Sequence, residues 1–331
     1  MNKSFFVKYL SVLLVLAGCR SRKIEEKTFI RMSTVTTIKI AAPLFGLGKD
    51  FWIPVDCLLK DYEELYKYHG KNSRIKKINA RTSDTVQTGL LLDELIRKAI
   101  KYSDTLNGLF DITLMPVKEA WGLNENSTPR VPDTFELKDS LRKTGINRIT
   151  ISEDTGVIIF NDSDIRIDPG GLIKGYVLRS LDSLLLERNL KDYLIICGGD
   201  VLVRGKKPDG DHWRIGIRHP RNKKKLLASL PVDKGCIVTS GDYERCFFKD
   251  SIRYHHIFDP RSGYPCDLNM SVTVWSPEPV RSDILSTGFF CFPSEKIMEF
   301  VNARKNLECL ICDSSGTLSV SSGWNGVLKI H

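Results

Sequence analysis

Residues 165–176, with the sequence IRIDPGGLIKGY, join the end of a predicted strand to a glycine turn and the start of a predicted helix. Glycine lets a backbone approach a ligand closely, and the N–H groups at a helix start favour an anion. Lys174 adds a positive charge in the first helical turn. The stretch is therefore either an anion-binding turn or a plain strand–turn–helix connection with a surface lysine, and the sequence around it leaves both open.

The chain on either side of this stretch carries strands and helices in unequal clusters. Apolar residues at helical spacing predict helices, and residues 122–147 are polar and irregular. Many strands separated by turn signals predict hairpins, and therefore an α+β fold that forms one globular unit. The predicted strands are Thr28–Ala42, 148–151, 157–160, 165–167, 193–197, 201–204, 213–218, 226–230, 235–239, 251–258 and 271–275, and the predicted helices are 55–68, 90–102, about 172–189 and 281–303.

The composition excludes several classes of protein. Of the 331 residues, 42% are hydrophobic and 27% charged, which is ordinary for a globular domain and excludes a disordered chain. The net charge of +9 comes from scattered residues, and no aromatic residues interleave with the short lysine runs, so no nucleic-acid partner is expected. The common phosphate-loop, dinucleotide-binding, serine hydrolase and zinc protease motifs are absent from the sequence.

The first residues predict an export signal, because their apolar stretch is too short to span a bilayer. Leu-Ala-Gly-Cys at 16–19 resembles a bacterial lipoprotein signal, in which the chain is cleaved before the cysteine and Cys19 carries lipid. An ordinary secretory signal with a chance cysteine is the alternative. Residues 1–18 are thus predicted to be a signal peptide and 19–27 a charged tether. The domain at 28–331 would be an exported lipoprotein anchored to the membrane, on the periplasmic side.

Eight cysteines remain beyond Cys19. An exported compartment permits disulfides, yet most of these cysteines lie in apolar contexts, which favours buried free thiols. Cys309 and Cys312 form a lone pair without a second pair, which argues against a structural zinc site.

Two further groups of residues are candidates for chemistry. Asp283 and Thr287 are four residues apart in a predicted helix, so one face would carry two hard oxygen donors suited to Mg²⁺. A helix-start acid and a core threonine would have the same spacing. His255 and His256 should face opposite sides of their strand, and a histidine of near-neutral pKa could accept a proton.

The residues of several motifs, and the order in which the motifs follow one another, together resemble one family, the FAD:protein FMN transferases of the ApbE family. The resemblance covers nearly the whole chain beyond the signal. The motifs that carry it are Met32-Ser33-Thr34, Asn72 to Asn79, Gly108 to Thr113 with Trp121-Gly122, Asp168 to Tyr176, Cys197 to Asp200, Ser240 to Tyr243, His256 to Pro265 and Ser282-Asp283 to Thr287. Departures from the family pattern stand at Ser33, His69, Ile173, Ile196 and Ser282.

The resemblance implies a T-fold-like architecture of mixed antiparallel sheets with packed helices. It also implies Mg²⁺-dependent cleavage of FAD, with transfer of FMN to a threonine hydroxyl of an acceptor protein and release of AMP. His256 would be the base, and Mg²⁺ would bind Asp283, Thr287 and the Gly171 carbonyl. The residues implied to contact FAD are Met32, His69, Leu109, Phe110, Asp111, Asp168, Lys174 and Ile257.

Two alternative functions stay open at this point. With water as acceptor the same site would be an FAD pyrophosphatase that releases FMN and AMP. A lipoprotein that only binds FAD would need no metal, and the retention of Asp283, Thr287 and His256 favours chemistry over storage. The implied acceptors are subunits of membrane redox complexes or other flavinylated exported proteins.

Overall fold

A computed structural model describes residues 22–66, 73–124, 127–152 and 156–328. In these ranges the strands are β1 Arg22–Arg31, β2 Thr34–Pro43, β3 Thr85–Gln87, β4 Ile149–Ile151, β5 Val157–Phe160, β6 Tyr193–Cys197, β7 Asp200–Arg204, β8 Trp213–Arg218, β9 Leu226–Val232, β10 Lys234–Gly241, β11 Cys246–Lys249, β12 Ile252–His255, β13 Asn269–Ser276, β14 Glu308–Asp313, β15 Leu318–Val320 and β16 Val327–Leu328. The helices are α1 Ile53–Tyr66, α2 Arg74–Asn79, α3 Leu90–Thr105, α4 Met115–Ala120, α5 Thr134–Arg142, α6 Ile173–Glu187, α7 Pro279–Gly288 and α8 Ser294–Asn302.

An eight-stranded sheet organises the molecule, with strand order β1-β2-β6-β7-β10-β13-β14-β15. All neighbouring strands in it are antiparallel. Smaller antiparallel sheets are β16-β9-β8, β3-β5-β4 and the hairpin β11-β12. The predicted α+β unit of mixed antiparallel sheets and packed helices is confirmed.

The buried side chains of the central sheet alternate between its two faces, so the core has two layers. In β6, Tyr193, Ile195 and Cys197 join the large cluster that includes the helices, whereas Leu194 joins the cluster formed with β8 and β9. Side chains of a strand point alternately to its two faces, so the central sheet lies between helices and a three-stranded sheet. None of the helices in the described ranges has the length and apolar character that a bilayer crossing requires.

The strand predicted over Thr28–Ala42 is instead a hairpin. Its strands pair in register from Arg22 opposite Pro43 to Arg31 opposite Thr34. The turn consists of Met32 and Ser33, both at φ 55, which is the left-handed region that favours glycine. Residues 22–27 therefore belong to a strand of the central sheet, and the prediction of a tether over 19–27 is wrong from Arg22 onward.

Other element boundaries also differ from the predictions. The helix predicted over 281–303 is two helices, because the chain turns at Phe289–Cys291 and Pro293 before α8 begins. The irregular region 122–147 contains α5, capped by Asp133. Residues 165–167 form no strand, and the strand predicted over 251–258 ends at His255.

The cysteines include one disulfide, between Cys266 and Cys291. The prediction of free thiols is wrong for this pair. Both cysteines are buried in the apolar core, and the sequence does not show which cysteine lies beside which. The other six described cysteines are free, and most of them are buried.

Candidate active site

A cavity of about 670 Å³ opens among the central sheet, α6 and α7. The predicted site residues that line it are Met32, Leu109, Phe110, Asp111, Asp168, Gly171, Lys174, His256, Ile257, Asp283 and Thr287. They come from five separate segments of the chain. His69, Cys19 and the predicted signal peptide 1–18 lie outside the described residues.

The glycine turn after Asp168 brings α6 against α7. A side-chain carbon at Gly175 would lie 2.7 Å from the Val280 Cα and 2.8 Å from the Pro279 carbonyl oxygen, so only glycine allows this approach. At this contact the Gly175 N–H donates to Asp283 Oδ2 at 2.7 Å. The close packing of the two helices thus fixes the Asp283 carboxylate at the cavity wall.

Lys174 forms an ion pair with a buried carboxylate. Its Nζ lies 2.5 Å from Asp200 Oδ2. Burial lowers the pKa of Lys174, but the charges of Asp200 and Asp283 outweigh burial and hold the pKa above its ordinary value. Lys174 is therefore a permanent positive charge beside the cavity.

Asp283 is a buried acid whose charge is only partly compensated. Burial, reinforced by the negative charge of Asp200, raises its pKa to about 7, although Lys174 opposes the rise. Thr287 lies one helical turn further on, and a carbon added at Gly171 would lie 3.5 Å from the Thr287 hydroxyl. The carboxylate, the hydroxyl and the Gly171 backbone thus meet at one part of the wall.

These oxygen donors fit a magnesium ion. Mg²⁺ prefers hard oxygen ligands and often takes few from the protein, with the rest from phosphate and water. Within the described ranges, no group of three or more His, Cys, Asp or Glu side chains could hold a metal. A cation at this wall would therefore depend on Asp283 and neutral oxygens, and it would favour the ionised carboxylate.

A second ion pair lies on another part of the cavity wall. Lys118 Nζ contacts Asp168 Oδ2 at 2.6 Å, and the Gly170 N–H donates to Asp168 Oδ1 at 3.0 Å. Burial raises the pKa of Asp168, but Lys118 outweighs burial and holds it below the ordinary value. Both charges therefore persist at neutral pH.

Asp111 orders the turn on which Leu109 and Phe110 stand. Its Oδ1 accepts hydrogen bonds from the Thr113 N–H and hydroxyl at 2.7 and 2.6 Å, and its Oδ2 accepts one from the Ile146 N–H at 3.2 Å. Burial raises the pKa of Asp111, although these hydrogen bonds favour its ionised form. The carboxylate thus holds an apolar part of the cavity lining in place.

The two adjacent histidines face opposite ways, as predicted. His255 is buried, and its Nε2 donates to the Cys266 carbonyl at 2.8 Å. His256 lines the cavity, and its Nδ1 lies 3.2 Å from the Arg245 carbonyl oxygen. A carbonyl only accepts, so Nδ1 carries the proton and Nε2 keeps a free lone pair.

The near-neutral pKa predicted for His256 is wrong. Burial, together with the positive charges of Lys118 and Arg245, lowers the pKa of His256 to about 3. The ring is therefore neutral throughout the physiological range, with Nε2 unprotonated.

Sequence reasoning did not identify Lys118 or Arg245. Lys118 lies on the short helix α4 among buried residues, and a lysine in such a position could have indicated a functional role. Its partner Asp168 is distant in the sequence, so the ion pair itself could not be predicted. Asp200 and Tyr243 were noted only within motifs, and Asp200 proves to be the partner of Lys174.

A cavity with two lysine–carboxylate pairs and hard oxygen donors, in an antiparallel α+β unit, is a site that suits the class of enzymes acting on phosphate-containing ligands. Within that class, the chain belongs to the ApbE family, whose family model matches residues 32–311. The resemblance predicted from the motifs is confirmed.

Curated relatives and solved structures agree with this assignment. The chain is 29% identical over 307 residues to an FAD:protein FMN transferase of Vibrio cholerae, covering 89% of this chain and 90% of the relative. It is 25% identical to the Escherichia coli K12 enzyme of that name, covering 94% and 92%. The ApbE protein of Thermotoga maritima superposes with a TM-score of 0.83 at 27% identity, covering 91% of this chain and 97% of that one. The flavin transferase ApbE of Vibrio cholerae gives 0.82 at 25% identity, covering 91% and 98%. The predicted T-fold-like architecture is confirmed.

Proposed function

We propose that this protein is a Mg²⁺-dependent FAD:protein FMN transferase. It cleaves the pyrophosphate of FAD, joins the FMN phosphate to a threonine hydroxyl of an acceptor protein and releases AMP. The observation that carries the proposal is the meeting of Lys174, Asp283, Thr287 and His256 around one cavity. The family membership and the names of the curated relatives support the same reaction.

The charged wall suits a pyrophosphate. Lys174 remains protonated and offers a fixed positive charge to the developing negative charge of the leaving phosphate. Asp283, Thr287 and the Gly171 carbonyl would hold Mg²⁺, which when bound supplies further neutralisation of the pyrophosphate charge. Because these groups are fixed by helix packing, they need little rearrangement during the reaction.

The rest of the cavity suits a flavin. Its volume lies within the usual range of about 300–1,000 Å³ for small-molecule sites. Met32, Leu109, Phe110 and Ile257 offer apolar contacts for a ring system. The Lys118–Asp168 pair offers polar groups that could orient its edge. We assign the FAD contacts to these residues and to Asp111.

His256 is placed to accept the proton of the incoming threonine. Its Nε2 lone pair is free because Nδ1 donates to the Arg245 carbonyl. The low pKa reflects burial together with the positive charges of Lys118 and Arg245. A bound anionic pyrophosphate would favour the protonated ring and would raise the pKa towards the range of an effective base.

The proposal also includes export and a lipid anchor. Cys19 would carry the lipid, and the domain would act at a membrane surface on the periplasmic side. Its acceptors would be subunits of membrane redox complexes or other flavinylated exported proteins.

The reaction is tested directly by mass spectrometry. Purified protein without its signal would be incubated with FAD and Mg²⁺, with and without an acceptor domain that contains a flavinylation threonine. We expect the acceptor to gain the mass of FMN minus one water, with one AMP for each modification. Release of free FMN without any modified acceptor would contradict the transferase assignment and favour the pyrophosphatase.

The metal assignment predicts a specific pH dependence. Protons compete with Mg²⁺ for the Asp283 carboxylate, so Mg²⁺ affinity should fall by about tenfold per pH unit below a pKa of about 7, and should level off above it. Mg²⁺ titrations with FAD present, at acidic, neutral and alkaline pH, measure this. EDTA should abolish turnover and added Mg²⁺ should restore it.

Asp283→Asn should weaken Mg²⁺ binding and remove this pH dependence, whereas Asp209→Asn, on an exposed loop, should change neither. An unchanged Mg²⁺ affinity in Asp283→Asn would remove Asp283 from the metal site.

The lipid anchor predicts where the protein is found. In cells, Cys19→Ala should shift the protein from the membrane fraction to the soluble fraction, or leave its signal uncleaved, without changing its thermal unfolding. Mass spectrometry of the native amino terminus should detect acyl chains on Cys19. A Cys19→Ala variant that sediments with membranes like the unchanged protein would contradict the lipoprotein assignment.

A further inference from the structure

The start of the described chain lies very close to the proposed anchor. The first strand begins at Arg22, only three residues after Cys19. Three residues of fully extended chain span at most about 11 Å. A lipid on Cys19 therefore leaves no room for a long tether, and the end of the central sheet at Arg22 must lie almost at the membrane surface.

An apolar turn stands beside this end of the sheet. Arg22 pairs with Pro43, and the chain then turns through Leu44 and Phe45. The exposed fractions are 56% for Leu44 and 91% for Phe45, so Phe45 is among the most exposed large apolar residues in the described chain. Leu44 and Phe45 are adjacent, so together they expose an apolar pair rather than one scattered side chain.

The turn is held firmly. The Gly46 N–H donates to the Pro43 carbonyl at 2.9 Å. Glu25 accepts hydrogen bonds from the Leu47 N–H at 2.9 Å and from Trp52 Nε1 at 3.1 Å. Phe45 is thus presented outward by a fixed backbone.

Basic residues stand on the segments next to the turn. Arg22 pairs with Asp192, and the Lys206 N–H donates to the same carboxylate, which places this loop beside the strand. The exposed basic residues on these segments are Arg22, Lys23, Lys49, Lys191 and Lys206. The acids are Glu25, Glu26, Asp50 and Asp192, of which Glu26 pairs with Lys39 and Asp192 with Arg22. The excess of positive charge suits anionic lipid headgroups.

We propose that Leu44 and Phe45, with the basic residues Arg22, Lys23, Lys191 and Lys206, form a membrane-binding surface that seats the domain on an anionic bilayer. The inference rests on the proposed anchor for its orientation. Phe45 would enter the headgroup region, and the lysines would contact lipid phosphates. The occupant is a lipid bilayer because the proposed anchor at Cys19 is only three residues from Arg22 and the exposed bases on these segments outnumber the acids.

The test separates the surface from the anchor. Cys19→Ala protein without its signal, which carries no lipid, would be sedimented with vesicles of phosphatidylcholine alone or of an equal mixture with phosphatidylglycerol. We expect binding to the mixed vesicles that weakens as salt is added. Phe45→Ser removes the apolar side chain that would enter the headgroup region, so it should lower the partition coefficient by about tenfold.

Phe135→Ser is the matched control, because Phe135 is also strongly exposed but lies on α5, far along the chain from the turn. Equal binding by Phe45→Ser and Phe135→Ser would overturn the proposal. So would a dimer in solution that Phe45→Ser abolishes, because the turn would then bind a second copy. FMN transfer to a soluble acceptor should be normal in Phe45→Ser, so a loss of vesicle binding cannot be confused with a failure of the transferase assignment.

Discussion

His256→Ala should lower the rate of FMN transfer by about 10²–10⁴-fold while the affinity for FAD changes little, because the proposed role of the ring is to accept the threonine proton in the transition state. Stopped-flow binding of FAD and single-turnover transfer measure the two quantities separately. Added imidazole should restore part of the rate by occupying the vacated volume. His212→Ala, at an exposed histidine outside the cavity, is the control and should behave like the unchanged protein.

The pH profile gives this prediction a second readout. Burial and nearby positive charges hold the pKa of His256 at about 3, whereas burial raises that of Asp283 to about 7. At limiting Mg²⁺ the Asp283 carboxylate should make the rate rise with pH through about 7 in both the unchanged protein and His256→Ala. A further rise that is present in the unchanged protein and absent in His256→Ala would belong to the histidine, whose pKa the bound pyrophosphate raises. Poor FAD binding with normal turnover of bound FAD would make His256 a binding residue.

Lys174→Met should lower the transfer rate by about 10²–10³-fold, because a fixed positive charge would be missing where the leaving phosphate gains negative charge. It should also destabilise the protein by roughly 3 kcal/mol, because Asp200 would be left buried without its partner. Turnover and urea unfolding measure the two effects. Lys224→Met, on an exposed loop, is the control for removal of one positive charge.

A double variant separates charge from stability. Asp200→Asn added to Lys174→Met removes the uncompensated carboxylate, so much of the lost stability should return while the rate stays low. Recovery of the rate together with stability would show that Lys174 acts only through folding. Full activity in the single variant would remove Lys174 from the pyrophosphate site.

The sequence predicted those parts of the site that are set by local spacing. Asp283 and Thr287 are one helical turn apart, and the glycines before Lys174 sit where the chain approaches the cavity. The spacing of residues could not show that Lys118 pairs with Asp168, because these two residues are far apart in the sequence and come together only when the chain folds.

The missed parts of the fold have similar local causes. The turn at Met32 and Ser33 contains no glycine, proline or asparagine. Without such a turn signal, the end of β1 and the whole of β2 look in the sequence like one continuous strand rich in β-branched residues. The first half of β1 lies at an exposed edge of the sheet and is rich in charged residues. It therefore lacks the alternating apolar pattern that predicts a strand, and the sequence alone did not identify it. The break between α7 and α8 is hidden by apolar residues that continue the helical pattern through Phe289 and Phe290.

The Cys266–Cys291 disulfide connects two segments that the reaction needs. Cys266 lies just after the turn that follows His256, and its N–H donates to the Ile257 carbonyl at 2.9 Å; Cys291 ends the turn after the helix that carries Asp283. Closing this loop is worth about 3 kcal/mol by restricting the unfolded chain. Reduction of this one bond should therefore loosen together the segment that carries His256 and the helix that carries Asp283.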